Sequence, residues 1–222
     1  MLTVFVTYHY FLGLNNLNII TKTARLIEKN YGIKLDLYNI PQDPDVYKYV
    51  FAKGKTQSVF QFESEGMRSM LKRFKPSCFS DIVLLVACYR PGPLQYLPNI
   101  IRRKHGQTDV ADTAIIHIPQ IEPIVGPTYM AIVYQEQVQQ IFRTLAGYGL
   151  GQADLVRRAM GHKKMDVLMA EKESFLHGDP KRNIVGCEAN GVNVEMADKL
   201  FEEMIDFAKY AFNKCSTRSG LK

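Results

Sequence analysis

The chain has 222 residues, 46% apolar and 23% charged, which excludes a disordered polypeptide and allows one large or two small domains with a sizeable core. The net charge of +6 and pI near 9.0 point weakly to a polyanion partner. Four cysteines (Cys78, Cys88, Cys187, Cys215) show neither CxxC nor Cys/His ligand spacing, and no apolar run spans a bilayer, so zinc, a disulfide framework and a membrane are all disfavoured.

In chain order, residues 16–29 form the first expected helix, with Leu17, Ile20, Ala24 and Ile27 recurring at spacings of three and four. Asn30-Tyr31-Gly32 supplies its stop, and residues 35–38 alternate weakly. A turn at Pro41 to Pro44 leads to a helix over 46–52, for which Asp45 is the expected cap. Residues 58–62 alternate around Val59, Phe60 and Phe62 as a short strand or extended entry. Residues 65–74 read as an amphipathic helix with Met67, Met70, Leu71 and Phe74 inward. An apolar helix over 79–89, burying Cys78 and Cys88, ends where Arg90-Pro-Gly-Pro93 forbids continuation.

A short helix is expected over 97–105, then a loop over 107–128 containing a candidate strand at 115–118. Residues 130–134 read as a short strand leading into a helix over 135–146. Gly147, Gly149 and Gly151 punctuate before a helix carrying Arg157 and Arg158, and helices over 166–176 and 194–212 complete the chain. Gly178, Pro180, Gly186 and Gly191 mark the loop between those two. The expected fold class is mainly α, an α-rich α+β module with a few short strands and no βαβ rhythm. No Walker loop, GxSxG, HExxH or kinase motif is present.

Charge is distributed unevenly. Arg68, Lys72, Arg73 and Lys75 form one basic cluster, and Arg102, Arg103, Lys104 and His105 a second. The third runs from Arg157 to Lys164, while Glu195, Asp198, Glu202, Glu203 and Asp206 gather acid on the last helix. Adjacent guanidiniums repel, and their forks match phosphate oxygens in two-point hydrogen bonds to which lysines add point charge. Helical spacing lets Arg157, Arg158, His162 and Lys164 converge along one edge. Spacing alone also fits a solvated Lys/Arg-rich surface helix.

Several blocks, in this order, carry a resemblance: Phe11-Leu-Gly-Leu14, Val59-Phe-Gln-Phe-Glu-Ser64, Tyr89-Arg-Pro-Gly-Pro-Leu94 and Arg103-Lys-His-Gly106. Tyr134-Gln-Glu-Gln-Val138, Gly151-Gln-Ala-Asp154, Arg157-Arg-Ala-Met-Gly161 and Phe207-Ala-Lys-Tyr-Ala-Phe-Asn-Lys214 follow. Collinear over about residues 11 to 214, they make the chain similar to the C-family replicative DNA polymerases, the bacterial DNA polymerase III alpha subunits.

The resemblance implies a fingers domain over 41–214, a palm remnant over 1–40 whose first ten residues are atypical, and an atypical tail over 215–222. It implies that Arg157, Arg158, His162, Lys163 and Lys164 face the triphosphate of an incoming deoxynucleotide; His162 stands where the motif commonly has lysine, weakening the field near neutral pH. Tyr210, Asn213 and Lys214, with Phe212, match the segment near the nucleotide pocket, where an aromatic ring contacts a base or sugar or else packs in the core.

Arg90, Arg102, Arg103, Lys104 and Gln135 are candidate nucleic-acid contacts. Arg90 alternatively neutralises carbonyls at a helix end, and Gln135, Glu136 and Gln137 alternatively cap a helix. The implied partners are dNTP, primer–template DNA, the palm and other replicase subunits, in the cytoplasm. Magnesium belongs to the full-length polymerase, on an Asp-x-Asp pair and a third Asp before Phe-Leu-Gly-Leu; that last position is Tyr10 here, so no catalytic residue or bound cofactor is expected and the chain is expected to be inactive alone. The atypical ends suggest a truncated or frame-shifted reading frame or an excised piece; a stand-alone basic helical nucleic-acid-binding module and a degenerate fragment are the alternatives.

Overall fold

The computed structural model describes residues 15–107, 114–210 and 212–214. The expectations for Tyr10, Phe11-Leu-Gly-Leu14, Cys215 and the 215–222 tail lie outside the described residues. The described chain is mainly helical: α1 (Asn15–Tyr31), α2 (Glu65–Phe74), α3 (Phe79–Cys88), α4 (Leu97–Lys104), α5 (Glu122–Val125), α6 (Gln135–Ala146), α7 (Leu150–Gly161), α8 (Met165–Ala170), α9 (Lys172–His177) and α10 (Val194–Ala208). Among these residues no helix is long and apolar enough to cross a membrane.

Two hydrophobic cores organise these helices. The first gathers Tyr47, Phe62, Met67, Leu71, Phe74, Leu85 and Leu97 from the N-terminal half through α4. The second gathers Val138, Ile141, Phe142 and Leu145 of α6 with residues from α7 to α10. At its centre Phe142 and Phe175 lie 4.7 Å apart between ring centroids, with Phe201 5.5 Å from Phe175. Helices α2, α6 and α10 bury the apolar stripes that their three-and-four spacing marks out, as α10 does with Ala197, Leu200, Phe201, Met204, Phe207 and Ala208. Ser64 and Asn193 begin α2 and α10 by accepting from the backbone N–H of Met67 and Met196.

The expected strands are corrected. Residues 58–62 form successive turns, with Ser58 and Gln61 at positive φ and Phe62 N–H bonded to the Val59 carbonyl at 2.9 Å. Residues 115–118 begin with a 3-10 turn, Ala114–His117, that buries Ile115 beside Ile118. The 130–134 segment has strand periodicity but no sheet: Ala131, Val133 and Tyr134 enter the first core while Ile132 enters the second. Its alternation reflects burial on both sides, and among the described residues its ladder contact is a parallel bridge between Tyr134 and Phe212.

Helix bounds also shift where tertiary contacts intervene. Asp45 makes no side-chain cap, and the following turn is π-helical (Val46–Phe51), with Ala52 N–H bonded to the Tyr47 carbonyl at 2.8 Å. The single helix expected over 166–176 is broken into α8 and α9 at Glu171, whose carboxylate accepts from Tyr148 OH and Arg182. The last helix stops at Ala208, short of the expected 212: a turn closed by Tyr210 N–H on the Phe207 carbonyl follows, and Phe212 pairs with Tyr134. Cys88 and Cys187 are buried and Cys78 is half-buried. The apolar face expected on α1 forms, yet none of its residues is buried, and Leu17 and Ile20 remain about half exposed.

Gln137 ties the joint between the cores. Its Oε1 accepts from the N–H groups of Val133 (2.8 Å) and Tyr134 (2.9 Å), and its Nε2 donates to Thr128 Oγ1 at 2.7 Å. Gln137→Leu leaves two buried N–H groups unpaired, and the expected loss is about 3 kcal/mol of unfolding free energy in urea titration.

Candidate functional site

The first turn of α6 is where separated parts of the sequence meet. Gln135 N–H donates to the Phe212 carbonyl at 2.9 Å, and the Lys214 N–H lies 3.2 Å from each carboxylate oxygen of Glu136. Gly161, the last residue of α7, packs beside the Gln135 amide: a Cβ built there would lie 3.6 Å from Nε2. The C-terminus of α7 and the 212–214 segment therefore flank the same helical turn.

Arg157, Arg158, His162, Lys163 and Lys164 surround that end of α7. Arg157 Nε donates to Asp154 Oδ1 at 2.8 Å and Arg158 Nε to Asp154 Oδ2 at 2.7 Å. One carboxylate is shared by two guanidiniums, so the trio retains a positive charge. The Arg157 hydrogen bond, followed by that of Arg158, outweighs desolvation and holds the Asp154 carboxyl below its usual range. Arg158 is 65% exposed in its side chain, whereas Arg157 is 26% exposed. His162, Lys163 and Lys164 are exposed. Lys163 takes positive φ, turning the chain out of α7 toward α8. The result is an open cationic rim with one acid at its back. Asp154 was not among the site residues drawn from sequence, although its spacing of three and four from the arginines is the usual ion-pair pattern.

Tyr210 and Phe212 are held by Arg90. Its Nη2 donates to the Tyr210 carbonyl at 2.5 Å, its Nε to the Ala87 carbonyl at 2.9 Å, and its guanidinium lies 4.2 Å from the Phe212 ring centroid. Arg90 thus neutralises the carbonyl end of α3 and fastens the chain after α10, the second of its two expected roles. Phe212 packs against the first core, while the Tyr210 side chain remains 38% exposed. Tyr210 lies flat against Gly92, where a Cβ would come within 2.3 Å of the ring and φ is +96°. Lys214 sits 5.3 Å from the Tyr134 ring centroid, and Asn213 is half-buried beside it.

The second basic cluster does not form one surface. Lys104 points inward, with its ammonium 2.7 Å from Asp81 Oδ2 and 2.8 Å from Tyr129 OH. Only 10% of the Lys104 side chain and 3% of the Asp81 side chain are exposed. Burial alone would raise the Asp81 pKa, but Lys104, the Ser77 N–H and Tyr129 together hold it below 3.8. Desolvation would likewise lower Lys104, and Asp81 with Tyr129 outweighs it, raising the ammonium above 10.5. Arg103 donates to the Met130 carbonyl on the wall of a cavity of about 260 Å³ that also borders Glu203 and Phe207. Arg102 is exposed. Gln135 is 8% exposed; the capping role considered for this turn is performed by Gln137.

The family described as the bacterial DNA polymerase III alpha subunit finger domain matches residues 16–183. The chain is 40% identical over 204 residues to DNA polymerase III subunit alpha of Halalkalibacterium halodurans, covering 92% of this chain and 17% of that protein. It is similarly 41% identical over 206 residues to the Bacillus subtilis protein, covering 92% and 17%. For the Thermus aquaticus protein the identity is 40% over 205 residues, covering 92% and 16%. The chain therefore spans about a sixth of the length of these relatives.

Two variants test the supports of this region. Gly92→Ala places a methyl group in the Tyr210 ring and is expected to cost about 2 kcal/mol or more in thermal denaturation, partly restored when Tyr210→Ala is added. Asp81→Asn is expected to cost about 4 kcal/mol, because it leaves the Lys104 ammonium buried without its counter-charge. Asp81, depressed when folded, contributes stability above about pH 4 that is lost as pH falls through its folded value. Urea titrations on the acid side should accordingly show a shallower decline for Asp81→Asn than for the wild type.

Proposed function

The chain belongs to the bacterial DNA polymerase III alpha subunit finger-domain family, and from that premise we propose that it grips the triphosphate of an incoming deoxynucleotide and contacts primer–template DNA during template-directed synthesis. The observation that carries this reading is the cationic rim at the end of α7, where Arg157 and Arg158 share Asp154 and His162, Lys163 and Lys164 lie exposed. A polyphosphate offers this rim the closely spaced oxygens that guanidinium forks bind in pairs. Tyr210 supports a nucleotide-facing role for the neighbouring segment, because its ring is kept at the surface between Gly92 and solvent. Asn213 and Lys214 continue that segment beside the same turn of α6. Lys104 and Arg90 serve the fold in this reading, and contact with DNA falls to Arg102 and to the exposed basic face of α2.

Magnesium-assisted nucleotidyl transfer requires gathered carboxylates. Among the described residues no group of three or more His, Cys, Asp or Glu side chains is assembled for a metal, and Asp154 is engaged by two arginines. By resemblance to the family we assign the metal-binding carboxylates to the palm of the intact polymerase, and α1 with its uncovered apolar face to the palm side of the boundary. The chain positions substrate, and chemistry belongs to that neighbouring domain.

The Arg157→Ala, Arg158→Ala double variant tests the reading by titration of dATP and of a short primer–template duplex. Triphosphate affinity is expected to fall by about tenfold or more while duplex binding is retained. A uniform loss of both, with a reduced salt slope, would instead identify a general nucleic-acid-binding module. Primer extension by the chain with magnesium and four nucleotides would overturn the assignment of catalysis to the palm.

A further inference from the structure

We propose that Asp154 is the positioning residue of the phosphate grip, holding Arg157 and Arg158 by their inner nitrogens so that both forks present their terminal nitrogens together. The inference rests on the reading of α7 as a triphosphate site. Around the helix axis Asp154 lies between the two arginines, about 60° from one and about 40° from the other, one turn earlier. Side chains on a helix lean toward its N-terminus, so both guanidiniums fall naturally over this carboxylate. Each oxygen is matched to one arginine: Oδ1 to Arg157 Nε at 2.8 Å and Oδ2 to Arg158 Nε at 2.7 Å.

The choice of nitrogen is what distinguishes a scaffold from a simple counter-ion. A carboxylate that took the outer edge of a fork would occupy the atoms phosphate needs. Here the Nε atoms are used and the terminal nitrogens of both forks carry no bond among the described residues. Sharing one carboxylate also relieves the repulsion between adjacent guanidiniums, which otherwise splay apart. Two long side chains thereby lose rotamer freedom before the ligand arrives, lowering the ordering cost of binding. The opposing effect is repulsion between Asp154 and phosphate. Solvent and salt screen that repulsion, and the two guanidiniums that share the carboxylate offset its charge.

Titration of inorganic tripolyphosphate and of dATP into the 222-residue chain tests this directly. Asp154→Ala is expected to weaken both probes by about tenfold and Asp154→Asn, which keeps one acceptor oxygen, by about threefold. Asp154→Glu, with both acceptors restored, should bind close to wild type. Because no cation is lost, the salt slope should stay the same or steepen in every variant. Far-UV circular dichroism establishes that α7 survives, and where the alanine variant loses helix the asparagine and glutamate pair carries the comparison. Binding by the asparagine and alanine variants as tight as wild type, or tighter, would make Asp154 a competing counter-ion and overturn the proposal. A different outcome marks failure of the site itself: neither probe binding the wild type, or both binding the Arg157→Ala, Arg158→Ala variant equally well. The positioning role then falls with it.

Discussion

An extended segment whose side chains point alternately into two hydrophobic cores is the constraint on which the rest of this molecule depends. Ala131 and Val133 belong to the first core and Ile132 to the second, so one short segment joins the two. The segment cannot satisfy its own backbone in a sheet, and the Gln137 amide meets that demand at Val133 and Tyr134. The C-terminal segment then crosses at Phe212, where Gln135 N–H takes its carbonyl and Arg90 covers its ring. Every group around the first turn of α6 is placed by this crossing.

The same constraint redistributes the basic residues. Arg90 and Lys104, which are charged and close to proline or glycine turns in sequence, are drawn inward to satisfy carbonyls and a buried carboxylate. A buried ammonium is tolerable only with a paired charge and hydrogen bonds, and Asp81 with Tyr129 supplies them. What remains outside at the end of α7 is a smaller set of cations with a definite arrangement. The modest net charge therefore says less about ligand binding than the location of the charges does.

The rim at Arg157 to Lys164 lies at the C-terminal end of α7, where Gly161 packs beside Gln135, the same residue of α6 that donates to the Phe212 carbonyl. Tyr210 is anchored separately, with its carbonyl bonded to Arg90 and its ring against Gly92. Gly92 contributes by having no side chain, since the Tyr210 ring occupies the space a methyl group would need.

Much was legible in the chain itself. Three-and-four spacing located α2 and α6 at their observed bounds, because their buried stripes are long and their ends are set by local residues such as Ser64 and Gly147. Family membership was legible from collinear motif blocks, as was the cationic run on α7. Strand-like alternation at 130–134 was also correctly periodic, but periodicity cannot distinguish a sheet from a chain threaded between two cores. The break at Glu171, the π-helical turn after Asp45 and the inward path of Lys104 depend on partners dozens of residues away or on backbone competition that composition does not encode. Sequence thus determined where the longer helices lie and which charges exist; tertiary structure decided where helices break and which of those charges reach solvent, because burying a cation is permitted only where the fold brings it a partner.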